Sequence, residues 1–100
     1  MYEYPCRMIR VVNGNTVEAD IDLGFEISIR MSIKLYGVST SEEAKEALIR
    51  LLTKNFICCT IYNKRGKMGR VLGYVYVEDD TGELININDI MIAQGHSLNK

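Results

Sequence analysis

From Phe25 to Tyr36 the chain alternates without a break. Phe25, Ile27, Ile29, Met31, Ile33 and Leu35 fall on one side of an extended backbone, and Glu26, Ser28, Arg30, Ser32, Lys34 and Tyr36 fall on the other. A period of two sustained this long implies one continuous, curved strand with a single buried face. The segment before it behaves alike: Val17, Ala19 and Ile21 alternate with Glu18, Asp20 and Asp22. Arg7 to Val12 reads as a first strand, turned at Asn13-Gly14, a dipeptide that readily adopts positive φ. Leu23-Gly24 allows the next turn.

The period then changes. Ser39-Thr40-Ser41-Glu42-Glu43 offers overlapping capping boxes, in which a hydroxyl accepts from a free backbone amide and a glutamate reaches back. Ala44, Ala47, Leu48, Leu51 and Leu52 recur at helical spacing and make one apolar stripe, with Asn55 as a stop. Phe56 to Tyr62 reads as a fourth strand and Val71 to Val77 as a fifth, joined through a basic loop from Asn63 to Arg70. Asp80-Thr81-Gly82 marks a turn, Leu84 to Ile87 is extended, and Asn88 caps a short helix ending at Gly95. Three contiguous strands, a helix and two more strands make the order of an OB-type barrel. The expected fold is α+β, mainly β: a five-stranded barrel with one helix between strands 3 and 4 and a short C-terminal helix. One domain spans residues 1–100.

Composition bounds the function. With 47% apolar and 25% charged residues the chain matches a globular protein. No apolar run approaches a membrane span, and Met1 to Arg7 lacks the layout of a secretory signal, so the expectation is a cytoplasmic protein without a membrane partner. Three cysteines, an odd number, argue against a disulfide framework. Cys58 and Cys59 point to opposite faces of a strand, and His96 with the distant Cys6 makes too small a metal set. Buried thiols in a reducing setting fit best. A net charge of −1 and a pI near 5.8 lack the basic face of a general nucleic-acid binder. The charges are patchy: Lys64, Arg65, Lys67 and Arg70 are basic, and Glu78, Asp79, Asp80 and Glu83 acidic. Both clusters read as solvated hairpin ends; the basic one reads equally as a phosphate contact.

Three blocks carry more: Val11-Val12-Asn13-Gly14-Asn15-Thr16-Val17, Lys34-Leu35-Tyr36-Gly37-Val38-Ser39-Thr40-Ser41-Glu42, and Lys67-Met68-Gly69-Arg70-Val71-Leu72-Gly73-Tyr74. In sequence and order they resemble the staphylococcal nuclease (thermonuclease-like) family, over roughly Arg7 to Ser97. Asn88 to Gly95 is similar to the family's second helix, and the family's further C-terminal helix has no counterpart. The resemblance implies a barrel that cleaves phosphodiesters with one calcium ion, held by two aspartates and a backbone carbonyl. It also implies a glutamate as base and two arginines clamping the phosphate.

Residue by residue, the match is degenerate. The first metal aspartate maps to Asn15, which offers a neutral carbonyl oxygen in place of a charge, and the second to Ser39, a weaker ligand still. The backbone carbonyl of Thr40 remains. One clamp arginine maps to Lys34, which keeps charge and loses the planar two-pronged donor; the other maps to Arg70. The base maps to Glu42, which reads equally as a first-turn helix acid, and the family's mobile loop after it is absent. Catalytic positions are thus Glu42, Arg70 and Lys34, and the positions of lost metal ligands are Asn15, Ser39 and Thr40.

The resemblance implies a nuclease-like binding module that has lost catalysis and needs no cofactor. Its partner is a nucleic acid or another protein, and by analogy alone it suits a small accessory or inhibitor protein of the phage type. Nucleic acid would meet Lys34, Tyr36, Lys64, Arg65, Lys67, Arg70 and Tyr74, since barrels of this kind stack bases on aromatics. The alternative is an active calcium-dependent nuclease with altered ligands, Asp20 or Asp22 reaching the metal. Exposed hairpin acids explain that pair more cheaply. A third reading is a structural protein that kept the barrel alone.

Overall fold

The structure is a computed structural model that describes residues 3–53, 55–61 and 70–98, Arg70 through its backbone alone. Each alternating segment becomes a strand and the one segment of helical spacing a helix. The elements are β1 (Glu3–Asn13), β2 (Thr16–Gly24), β3 (Ile27–Leu35), α1 (Glu42–Leu51), β4 (Phe56–Thr60), β5 (Arg70–Glu78), β6 (Leu84–Asn86) and α2 (Ile87–Ala93). Strands pair in the order β3-β2-β1-β4-β5-β6. All of these pairs are antiparallel; a further, parallel pairing of β3 with β5 closes the first five strands into a barrel. This is the mainly β, α+β OB-type barrel expected from the strand order, with β6 added at its margin. No helix among the described residues is long and apolar enough to cross a membrane.

Inward residues fill the barrel: Val17, Ala19 and Ile21 from β2, Ile33 and Leu35 from β3, Phe56 and Cys58 from β4, and Val75 from β5. Each apolar side chain removed from water contributes about 1.5–3 kcal/mol. Ser41 caps α1, its Oγ accepting from Ala44 N–H at 3.2 Å, and Ala44, Ala47 and Leu48 form the buried stripe. The cysteines Cys6, Cys58 and Cys59 are all free and buried. Burial pushes the Cys6 thiol up to about 11 and the Cys58 thiol up to about 12.

The structure corrects the reading of Phe25 to Tyr36 as one strand with a buried face. Phe25 and Glu26 form the turn, at φ 53° and 63°. The apolar row is buried only at Ile33 and Leu35, whereas Ile29, Ile27 and Phe25 are 39%, 55% and 97% exposed. The cause is register. Among the described residues β5 lies beside Ser32 to Leu35, and Ile27 and Ser28 pair with Gly24 and Asp22 of β2, beyond the stretch of β2 that pairs with β1.

Two turn assignments also change. Gly14 does not take positive φ. Glycine is required there by proximity, because a Cβ would sit 2.4 Å from the Ser39 carbonyl oxygen and 2.7 Å from the Ala44 Cβ. Asn86, not Asn88, caps α2, its side chain accepting from Asp89 N–H at 3.0 Å.

Asn88 has a different task and is completely buried. Its Oδ1 accepts from Val75 N–H at 2.9 Å, and its Nδ2 donates to the Gly73 and Tyr36 carbonyls at 3.1 and 3.0 Å. β5 leaves β3 at Gly73 and meets β6 at Tyr76. Between the two, the Asn88 amide supplies the donor and acceptor that a neighbouring strand would have supplied.

Candidate nucleic-acid interface

The β1–β2 turn at Gly14 is pressed against the segment that leads into α1. Close approach to Ser39, Ser41 and Ala44 brings Asn15, Ser39, Thr40 and Glu42 to one corner of the barrel. Lys34 joins them from β3, where it pairs in register with Thr16 on one side and Leu72 on the other. The Arg70 backbone pairs with Ser32, two residues along β5 from Leu72. The fold thus gathers Asn15, Ser39, Thr40, Glu42 and Lys34, with the Arg70 backbone alongside. Lys64, Arg65 and Lys67 lie outside the described residues.

Within this corner the polar groups are already engaged with the chain. Asn15 is only 2% exposed. Its Oδ1 accepts from the Thr16 hydroxyl at 2.9 Å, and its carbonyl accepts from Leu35 N–H at 2.7 Å. Ser39 Oγ accepts from Ser41 N–H at 3.1 Å, while Ser39 N–H donates to the His96 carbonyl at 2.8 Å. The two positions offer a neutral amide and a neutral hydroxyl. No group of three or more His, Cys, Asp or Glu among the described residues could hold a metal ion. Glu42 opens α1 just after the cap, where the helix dipole favours an acid, and it is exposed.

Asp20, weighed above as a substitute ligand, belongs to a different arrangement. It accepts from Arg7 Nη2 at 2.7 Å and from Arg30 Nε at 2.9 Å, across β1, β2 and β3. The hydrogen bonds from Arg30 and then Arg7 hold its carboxyl well below the usual carboxylate range. Asp22 Oδ1 accepts from Gly24 N–H at 2.8 Å and so stabilises the turn.

Next to Lys34, β3 ends at a pair of aromatic rings. Tyr36 and Tyr74 meet edge to face, with ring centroids 5.9 Å apart and planes at 63°. Tyr36 is 51% exposed and Tyr74 half-buried. A backbone bond from Tyr36 N–H to the Gly73 carbonyl at 3.0 Å fixes their spacing. An ammonium group and two presented rings form a surface able to take a phosphate and an unstacked base. A separate groove of about 570 Å³, bordered by Pro5, Arg7, Asp22, Ile57, Tyr76 and Leu84, includes none of these residues.

The residues that the resemblance pointed to at Asn15, Ser39, Thr40, Glu42 and Lys34 lie at this corner, and Tyr36 and Tyr74 lie in contact beside it. Sequence reasoning missed the bonding role of Asn88, which it read as a helix cap, and the Arg7–Asp20–Arg30 triad. Asn88 left one trace, since it falls with Ile87 and Met91 on the apolar side of a short helix. The triad needed cross-strand register, which spacing alone does not give. No curated protein matches the chain. The family model described as staphylococcal nuclease homologue matches residues 30–99. With the barrel order, that match covers most of the chain, which belongs to the staphylococcal nuclease homologue family.

Proposed function

We propose that this barrel is a catalytically silent member of its family that binds single-stranded nucleic acid across Lys34, Tyr36 and Tyr74, with Arg70 and the basic loop contributing charge. The observation that carries the reading is Asn15, a buried neutral amide whose oxygen is committed to the Thr16 hydroxyl. With Ser39 beside it, likewise neutral and engaged, the donor set does not fit a calcium ion, which calls for charged carboxylate oxygens. Binding needs less: a cation, an aromatic platform and a rigid sheet. Calcium therefore enters no step, and Glu42 serves as a first-turn helix acid.

The test is a labelled oligonucleotide with fresh protein, in calcium or in chelator, followed by gel and by anisotropy. The expected result is intact DNA in both, with binding that weakens as salt rises. Tyr36→Ala should weaken binding about tenfold, the cost of one lost base stack. Lys34→Ala should lower the salt dependence. Calcium-dependent cleavage that Glu42→Ala abolishes would overturn the reading and establish a nuclease with altered ligands. Intact DNA without binding would point to a protein partner.

A further inference from the structure

The groove of about 570 Å³ is built on the outer face of the sheet. Pro5 pairs with Ile57 and Ile57 with Tyr76, so the three stand in one row across β1, β4 and β5. Residues two apart on those strands share the face. Arg7 follows Pro5 and stands opposite Asp20, Asp22 stands opposite Ser28, and Glu78 follows Tyr76 opposite Leu84. The β2–β3 turn adds Glu26. An apolar row thus lies between the carboxylates of the β2–β3 hairpin and that of Glu78. Asp20 has its charge met by Arg7 and Arg30. Asp22, Glu26 and Glu78 are exposed, and among the described residues no cation lies within ion-pair distance of them.

These features select a ligand. Carboxylates repel phosphate, and a second copy would bring the same carboxylates, so neither a nucleic acid nor another copy suits the groove. No group of three or more His, Cys, Asp or Glu among the described residues could hold a metal ion. An organic cation with an apolar stem does suit it, and an arginine side chain is one. Its guanidinium takes a carboxylate with two parallel bonds and stacks on an aromatic ring, while its methylenes cover apolar surface. The same face already holds one such pair: Arg30 donates from Nε and Nη2 to the two Asp20 oxygens at 2.9 and 3.2 Å. Phe25, beside Glu26 in the turn, is 97% exposed, apolar surface that a polypeptide covers and a free small cation does not. We propose that the groove receives an arginine-bearing segment of a partner protein, with guanidinium groups on Asp22, Glu26 and Glu78 and stems over Pro5, Ile57 and Tyr76. Its volume lies within the range of about 300–1,000 Å³ usual for ligand sites. This binding does not depend on nucleic acid at the Lys34 corner.

The test titrates fluorescein-labelled hexa-arginine, and separately hexa-lysine, with the whole chain at low salt and reads anisotropy. Hexa-arginine should bind with a dissociation constant of about 100 µM or tighter, and about fivefold more tightly than hexa-lysine. Glu26→Lys and Glu78→Lys, both at exposed positions, should each weaken it about tenfold, because reversal removes an attraction and adds a repulsion. Glu46→Lys makes the same change of charge on the exposed side of α1 and should leave binding unaltered. Tyr76→Leu should remove the preference for arginine over lysine while hexa-lysine binds as before. Circular dichroism verifies that each variant is folded. Absence of binding up to about 1 mM protein overturns the proposal. So does Glu46→Lys weakening the peptide as much as the groove variants do, which would mean diffuse attraction to net charge. Equal affinity of the wild type for the two peptides, or a preference for arginine that survives Tyr76→Leu, overturns it as well.

Discussion

Replacing Asn88 by alanine tests whether one side chain completes the barrel between β3 and β6. The mutation removes three hydrogen bonds from a fully buried position. They are not equivalent. The Gly73 carbonyl keeps its bond from Tyr36 N–H at 3.0 Å. Val75 N–H, at a fully buried residue, and the partly buried Tyr36 carbonyl lose the Asn88 partner. At about 1–3 kcal/mol for each buried group left unsatisfied, the loss is about 4 kcal/mol. That is a large part of the 5–15 kcal/mol typical of a domain. Urea unfolding followed by circular dichroism reads it directly. With a slope of about 2 kcal/mol per molar, the midpoint should fall by about 2 M at unchanged slope. Asn86→Ala, which removes only the cap of α2, should cost about 1 kcal/mol and serves as the comparison. If Asn88→Ala cost no more than Asn86→Ala, the amide would not be acting as a surrogate strand, and the reasoning would fail.

Gly14→Ala drives a Cβ into the Ser39 carbonyl and should destabilise by about 2–3 kcal/mol, lowering the thermal midpoint by about 10 °C or more. Asp20→Asn should flatten the acid limb of the stability curve. The folded carboxyl is depressed, so its contribution is present above the unfolded value of 3.8 and disappears as pH falls through the lower folded value. Urea midpoints at pH 7, 4 and 3 check this: wild type should lose more stability over that interval than the variant. Cys6 and Cys58, buried with raised pKa values, should resist a thiol reagent at pH 8 until urea unfolds the chain. Rapid labelling of the folded protein would contradict their burial.

Most of the architecture was legible because alternation is a local signal and these strands alternate cleanly. β2 shows it, with Val17, Ala19 and Ile21 buried as its pattern requires. The exposed end of β3 was not legible for a definite reason. Alternation separates two faces but does not say how far along a strand its partners accompany it, and among the described residues β5 accompanies β3 over Ser32 to Leu35. The gathering of Asn15, Ser39, Glu42 and Lys34 was visible through family resemblance. That Asn15 and Ser39 are engaged with Thr16 and Ser41 is a matter of ångströms. Asn88 was assigned a cap because asparagine before a short helix usually caps it, and Asn86 does so here. A side chain that imitates a strand has no period by which to find it.

The order in which the contacts become available during synthesis follows from the same region. Asn88 reaches back to Tyr36; Val38 bridges to Ser97, and the Leu98 N–H donates to the Gly37 carbonyl at 2.9 Å. A nascent chain that has exposed β1 to β5 can bring its strands together. Until residues 86–98 have emerged, however, Val75 N–H and the Ser39 N–H still await their partners. Vectorial folding therefore passes through a barrel whose final fastening is applied late. Chaperones and proteases would meet this protein as an unlatched sheet before they met it as a finished domain.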